Sequence, residues 1–161
     1  MQVTPRGQTL RPCEQLVVAL LDGRRCALRI PAVERVARTV EITPLPKAPE
    51  IVLGVINVSG RIVPVINVRK RFRLAEREAG LGDQLLIART ARRTVALPVD
   101  AVIGVLPCSA EMVTAKEAIV PGLEYLEGIA KLEDGMILIH DLDKFLSVEE
   151  ETGLERALRT P

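Results

Sequence analysis

The chain matches itself, and that internal repeat restricts the folds open to it more than any single motif does. GVINVSGRIVPVINV (residues 54–68) lies over GIAKLEDGMILIHDL (residues 128–142) without a gap, sharing the leading glycine and an apolar residue at many alternating positions. ALRIPAV (27–33) lies over ALPVDAV (96–102), each preceded by a basic pair, Arg24-Arg25 and Arg92-Arg93. The offsets, 74 and 69 residues, are nearly equal, and the two blocks keep their order. Strand sequences resemble one another by chance, but chance does not preserve order and spacing together. The pattern predicts a duplicated all-β unit of about 65 to 75 residues, each copy marginal alone.

Local signals agree. LVVALL (16–21) and CALRI (26–30) flank the turn signal DGRR and read as a hairpin. IVLGVINV (51–58) and RIVPVINV (61–68) are separated by Ser59-Gly60 alone, the length of a tight hairpin turn. Gly54 in one run and Pro64 in the other indicate a bulge and an edge or barrel corner. Further strands are predicted at residues 84–89, 94–99, 102–106 and 136–139. The stretch 43–50 holds three prolines, which forbids helix and makes it an extended crossing loop. Pro31 followed by Val33, Val36 and Ala37 at helical spacing predicts a short helix or turn over 31–38. At the far end the capping box Ser147-x-x-Glu150, with Leu154 and Leu158 four apart, predicts a helix over 147–159 that Gly153 weakens and that frays in its last dozen residues. The predicted organisation is a flexible leader over 1–13, a domain of two lobes over 14–148, and a helical tail over 149–161.

Composition narrows function. Lys plus Arg total 22 against 21 acids, so no global field draws nucleic acid or an anionic membrane. Phe72, Phe145 and Tyr125 are the only aromatics, too few for a base-stacking ladder. Cys13, Cys26 and Cys108 are odd in number and far apart, without the spacing of a disulfide framework or a zinc site, which fits a reducing cytosol. His140 is the sole histidine and follows the apolar run Met136 to Ile139, so a packed ring outweighs a catalytic base. Asp141 and Asp143 read as loop acids, and Gly80-Leu81-Gly82 lacks the continuation of a phosphate loop. No cofactor or metal is implied. The run VRKRFRLAER (68–77), five bases and one acid, reads as a solvated loop, with a nucleic-acid-binding small barrel as the alternative. A small hydrolase or ligand-binding barrel would need a pocket of convergent polar groups that the sequence does not display.

GVINVSGRIVPVINVRKRF and the later ALPVDAVIGVLP resemble the signature of the CheW-like chemotaxis adaptors, G-V-x-N-x-R-G-x-I-V-P-V-x-D-L-R with a following Phe and a downstream V-D-x-V. The resemblance runs from about Glu14 to Leu146 and takes in YLEGIAKLEDGMILIHDLDKFL. It implies an all-β fold of two small five-stranded SH3-like barrels packed together, with short helices and a C-terminal helix. It further implies a cytoplasmic, non-enzymatic scaffold, monomeric when free, that couples the cytoplasmic tip of a methyl-accepting chemoreceptor to the regulatory domain of a CheA-type histidine kinase. Carried onto this chain, the receptor groove is expected at Val33, Arg35, Val36, Gly54, Asn57, Ser59, Leu85 and Leu86. The kinase contact is expected at Val40, Glu41, Ile42 and Thr43 on one lobe and at Asp100, Ala101, Val102 and Gly104 on the other. Three positions depart from the family pattern: Ser59 replaces its usual Arg, Arg35 an acidic residue, and Asn67 its usual Asp. An Arg at 59 would face Arg35 with like charge, a conflict that Ser59 removes.

Overall fold

Along nearly every strand both alternating faces are apolar, so each sheet must bury both sides. The computed structural model describes residues 14–78, 80–109, 113–115 and 125–159, so the expected leader, with Cys13, lies outside the described residues. The strands are β1 (Glu14–Leu21), β2 (Arg24–Arg29), β3 (Val33–Arg38), β4 (Val52–Val58), β5 (Arg61–Ile66), β6 (Gln84–Arg89), β7 (Thr94–Val99), β8 (Ala101–Cys108), β9 (Val113–Ala115), β10 (Leu126–Leu132) and β11 (Gly135–His140). They form a six-stranded sheet in the order β8-β1-β2-β11-β10-β9 and a five-stranded sheet in the order β3-β6-β7-β5-β4. The two-lobed all-β fold is as expected, with the three-residue β9 added to one lobe.

Three apolar clusters show how the faces are used. Leu16 and Val18 of β1 pack with Ala27, Cys108, Ala130, Ile137 and Ile139 inside the six-stranded lobe. Leu106 and Val113, from the first and last strands of that sheet, join the same cluster, so the sheet curls around it. Leu85 and Ile87 of β6 pack with Ile56, Val58, Val63, Val65 and Ala96 inside the five-stranded lobe, where Ala37 of one edge strand joins Ile56 of the other. The alternate residues, Val17, Ala19 and Leu21 on one side and Leu86, Ala88, Val95, Leu97 and Val99 on the other, meet in a third cluster that joins the lobes.

The repeat is present residue for residue, but with an exchange of strands. Val65 of β5 pairs in parallel with Ala96 of β7, and Ile139 of β11 pairs in parallel with Ala27 of β2. Residues 65 and 139 are equivalent in one sequence match, and 27 and 96 in the other. Gly54↔Val65 in the β4–β5 hairpin likewise corresponds to Gly128↔Ile139 in β10–β11, each next to a register shift. β1 and β2 therefore complete the lobe made by β8 to β11, while β6 and β7 complete the lobe made by β3 to β5. Each half of the chain gives its first two strands to the other half's lobe, and neither lobe can form without both.

Two local expectations change. Of the helix predicted over 31–38, only Ile30–Ala32 is helical, as one 3-10 turn with Pro31 in its first positions. Val33–Arg38 is strand β3, paired with β6. Its β-branched valines and the open edge of β6 outweigh the helical spacing. The C-terminal helix α2 (Val148–Arg159) is formed with the predicted capping box: Glu150 N–H donates to Ser147 Oγ at 3.0 Å and Ser147 N–H donates to Glu150 Oε1 at 2.8 Å. It is not a frayed tail. Leu154 is buried in the cluster between the lobes, and Gly153 lies so close to Pro49 that a Cβ would stand 3.1 Å from the proline ring.

Candidate functional site

The expected receptor-groove residues come together around β3 and the β4–β5 turn, with three exceptions, Gly54, Leu85 and Leu86. Val36 lies opposite Leu86 of the inter-lobe cluster yet is 41% exposed, so it faces the rim of the seam between lobes. Val33, half-buried, packs against the same cluster. Arg35 lies opposite Ile87 of the lobe interior, hence on the other face of β3, and its guanidinium reaches over the lobe end to Ser59 Oγ at 3.4 Å. Ser59 occupies the turn at a φ of 50°, and Asn57 closes that turn by accepting from Gly60 N–H at 2.8 Å. Gly54 is buried, and a Cβ there would overlap the Thr43 carbonyl oxygen, so its role is to let the 43–55 bridge form. Leu85 and Leu86 are 0% and 3% exposed. They are core residues of the two clusters and present no side chain to a partner, because β6 is a central strand covered on both faces.

The expected kinase-contact residues fall into exposed and structural groups. Val40 and Glu41 are exposed, Ile42 packs against the five-stranded lobe's core, and Thr43 exchanges two backbone hydrogen bonds with Val55, at 2.9 and 2.8 Å. Ala101 and Val102 are half-buried, and Gly104 is exposed on the edge strand β8. Ile42 and Asp100, from the two expected segments, line one cleft of about 460 Å³ together with Leu53, Val68, Arg69 and Arg77. The Asp100 carboxylate is fully engaged there. It accepts from Asp22 N–H at 2.9 Å, Arg69 at 2.5 Å and Arg77 at 2.6 Å. Burial opposes its ionisation, but these donors outweigh burial and hold its carboxyl below the usual range.

The basic run is likewise structural. Val68–Arg71 forms the one-turn helix α1, capped by the Asn67 side chain, which accepts from Lys70 N–H at 3.0 Å. An amide oxygen thus caps the turn at the position where the resemblance leads one to expect Asp. Arg69 bridges Asp22 and Asp100, Lys70 pairs with Glu50, Arg71 with Glu150 in helix α2, and Arg77 with Asp83 and Asp100. These arginines tie the turn of β1–β2, the β7–β8 junction and α2 together, so four of the run's five bases are engaged within the chain and the nucleic-acid alternative loses most of its support. Arg93 and Glu151 add a second tie to α2, at 3.0 Å.

No histidine chemistry is set up. His140 is buried and stacked on Phe72, with ring centroids 4.3 Å apart, and burial pushes its pKa down to about 4. Cys26 is held by burial as a thiol with a pKa of about 11, despite the pull of Arg24. Among the described residues no helix is long and apolar enough to cross a membrane.

Two features were not read from the sequence. One is the pair Glu34–Arg61 at 2.9 Å, which sits beside the Arg35–Ser59 contact. The other is the apolar edge of β8, where Ile103 and Val105 are 52% and 53% exposed. The second was foreshadowed by the repeat, since residues 103 to 105 correspond to the exposed 34 to 36 at the 69-residue offset.

Residues 15–150 match the family model of the CheW-like domain. The solved structure of the scaffolding protein TtCheW from Thermoanaerobacter tengcongensis is similar at a TM-score of 0.78, with 32% identity over 86% of this chain and 95% of that one. The chemotaxis protein CheW of Thermotoga maritima is 31% identical over 135 residues, 84% of this chain and 87% of that protein. That of Treponema pallidum is 28% identical over 142 residues, 84% of each.

Proposed function

Since the chain belongs to the CheW-like family of chemotaxis scaffold proteins, which are not enzymes, we propose that it couples the cytoplasmic tip of a chemoreceptor to the regulatory domain of a CheA-type histidine kinase at cytoplasmic receptor arrays. The observation that carries this reading is the extent of the family match, which spans both lobes and the seam between them. The receptor side is assigned to the rim at Val33 and Val36 and the lobe end at Arg35, Asn57 and Ser59. The kinase side is assigned to exposed Val40 and Glu41 and to Gly104 with its exposed neighbours Ile103 and Val105 on β8.

The kinase contact so assigned is mainly aliphatic, so its affinity should depend little on salt. Titration of the chain with the regulatory domain of a cognate kinase tests this: affinity should change less than about threefold between about 50 and about 500 mM salt. A fall of roughly tenfold or more would place a charged surface at the contact instead.

A further inference from the structure

The end of the five-stranded lobe carries more positive charge than it can neutralise. Glu34, the extra residue at the β3 bulge, accepts from Arg61 at 2.9 Å and from Thr94 Oγ at 3.2 Å. The bond from Arg61 leads the effects that keep the Glu34 carboxyl below its ordinary range, and Arg89 contributes as well. Arg61 and Arg89 thus both act on one carboxylate, which is paired with Arg61, and Arg35 is the next residue along β3. Arg35 has no acidic partner among the described residues; its only hydrogen bond there is the long one to Ser59 Oγ. The whole chain has a formal net charge of only +1, so this is a local arrangement.

A guanidinium held out by a neutral hydroxyl, at a lobe end with surplus positive charge, is complementary to a carboxylate. A docked partner segment excludes water from such a pair and strengthens it beyond an open surface pair. We propose that this lobe end docks an acidic segment of the receptor tip, and that Arg35 pairs with a carboxylate of that segment. Ser59 is a positioning residue: it anchors Arg35 without supplying a competing charge. The inference rests on the coupling reading and adds to it the chemistry of the receptor segment.

The test uses the full chain and a cytoplasmic tip fragment of a chemoreceptor from the same genome. Arg35→Ala should weaken binding roughly threefold and Arg35→Glu roughly tenfold or more, with unchanged thermal midpoints. Ser59→Arg should weaken it as well, by placing a second guanidinium beside the first. One fragment variant in a set replacing each acidic residue by Arg should restore binding to Arg35→Glu. If Arg35→Glu binds the fragment as tightly as the unaltered chain does, the inference fails and the coupling reading stands. If the unaltered chain binds no receptor fragment, both fail.

Discussion

At the bulge on β3 the five-stranded lobe exposes Glu34, Arg35 and Val36; at the equivalent bulge on β8 the six-stranded lobe exposes Ile103, Gly104 and Val105. The surrounding backbone is the same: Val33 pairs with Ala88 as Val102 pairs with Ala19, and the register slips by one residue after each. Only the side chains differ. One backbone plan, used twice, therefore offers a charged edge and an apolar edge on a single chain, which is what a protein with two chemically different partners needs. The interiors have diverged less. Leu16 and Leu85 occupy equivalent positions and both are 0% exposed, whereas Ile66 in one lobe corresponds to buried His140 in the other.

The equivalence of the interiors can be broken most forcefully at those leucines. Leu16→Ala and Leu85→Ala should each cost about 3 to 5 kcal/mol, and by similar amounts, since each opens a cavity in a packed aliphatic lobe. Because the lobes share strands, denaturant unfolding of either variant should remain a single transition. Two separated transitions, one per lobe, would show that the strand exchange does not bind the lobes into one cooperative unit.

The His140 and Ile66 difference predicts a pH dependence of the whole chain's stability that originates at one of the two equivalent positions. In the unfolded chain the imidazole titrates at its ordinary value near 6.5, but in the folded protein burial lowers it to about 4. Protons therefore bind the unfolded state preferentially between those values, and stability is lost as pH falls through the window, by up to about 3 kcal/mol at its lower end. His140→Ile, which copies the other lobe, should remove this component. Asp83, Asp100 and Glu150, whose carboxyls are held below the usual range by their arginine and backbone donors, add an acid-side loss that the substitution leaves in place. Parallel stability curves for the two proteins between pH 7 and pH 4 would refute the assignment.

A smaller contrast lies at the glycines. Gly54→Ala drives a Cβ against the Thr43 carbonyl and should cost about 2 to 3 kcal/mol. Gly104→Ala meets open space, and only its φ of 147° resists the substitution, so about 1 kcal/mol is expected. Equal losses measured by thermal unfolding would mean that the Thr43–Val55 bridge does not hold Gly54 as closely as described.

Much of this was legible before any coordinates. The gapless match at 54 and 128 anticipated the two bulged hairpins, and the odd Gly and Pro inside apolar runs pointed to bent sheets. What the repeat could not specify was which half completes which lobe, because parallel pairs such as Val65↔Ala96 are contacts distant in sequence and leave no local pattern. The helix predicted over 31–38 failed because three apolar residues at helical spacing also fit a half-buried edge strand, and pairing with β6 decided the matter. Family resemblance assigns Leu85 and Leu86 to a partner groove, whereas strand order puts them in the core. The arginines of 68–77 looked like a solvated loop because their partners, Asp22, Asp100 and Glu150, lie tens of residues away.

Coupling itself is the central claim, and co-sedimentation tests it directly. Membranes bearing a cognate chemoreceptor are mixed with its CheA-type kinase, with and without this chain. The chain should raise the amount of kinase recovered with the receptor severalfold and should itself appear in the pellet, and Arg35→Glu should diminish both. Kinase recovered equally well without the chain, or a pellet from which the chain is missing, would contradict the account.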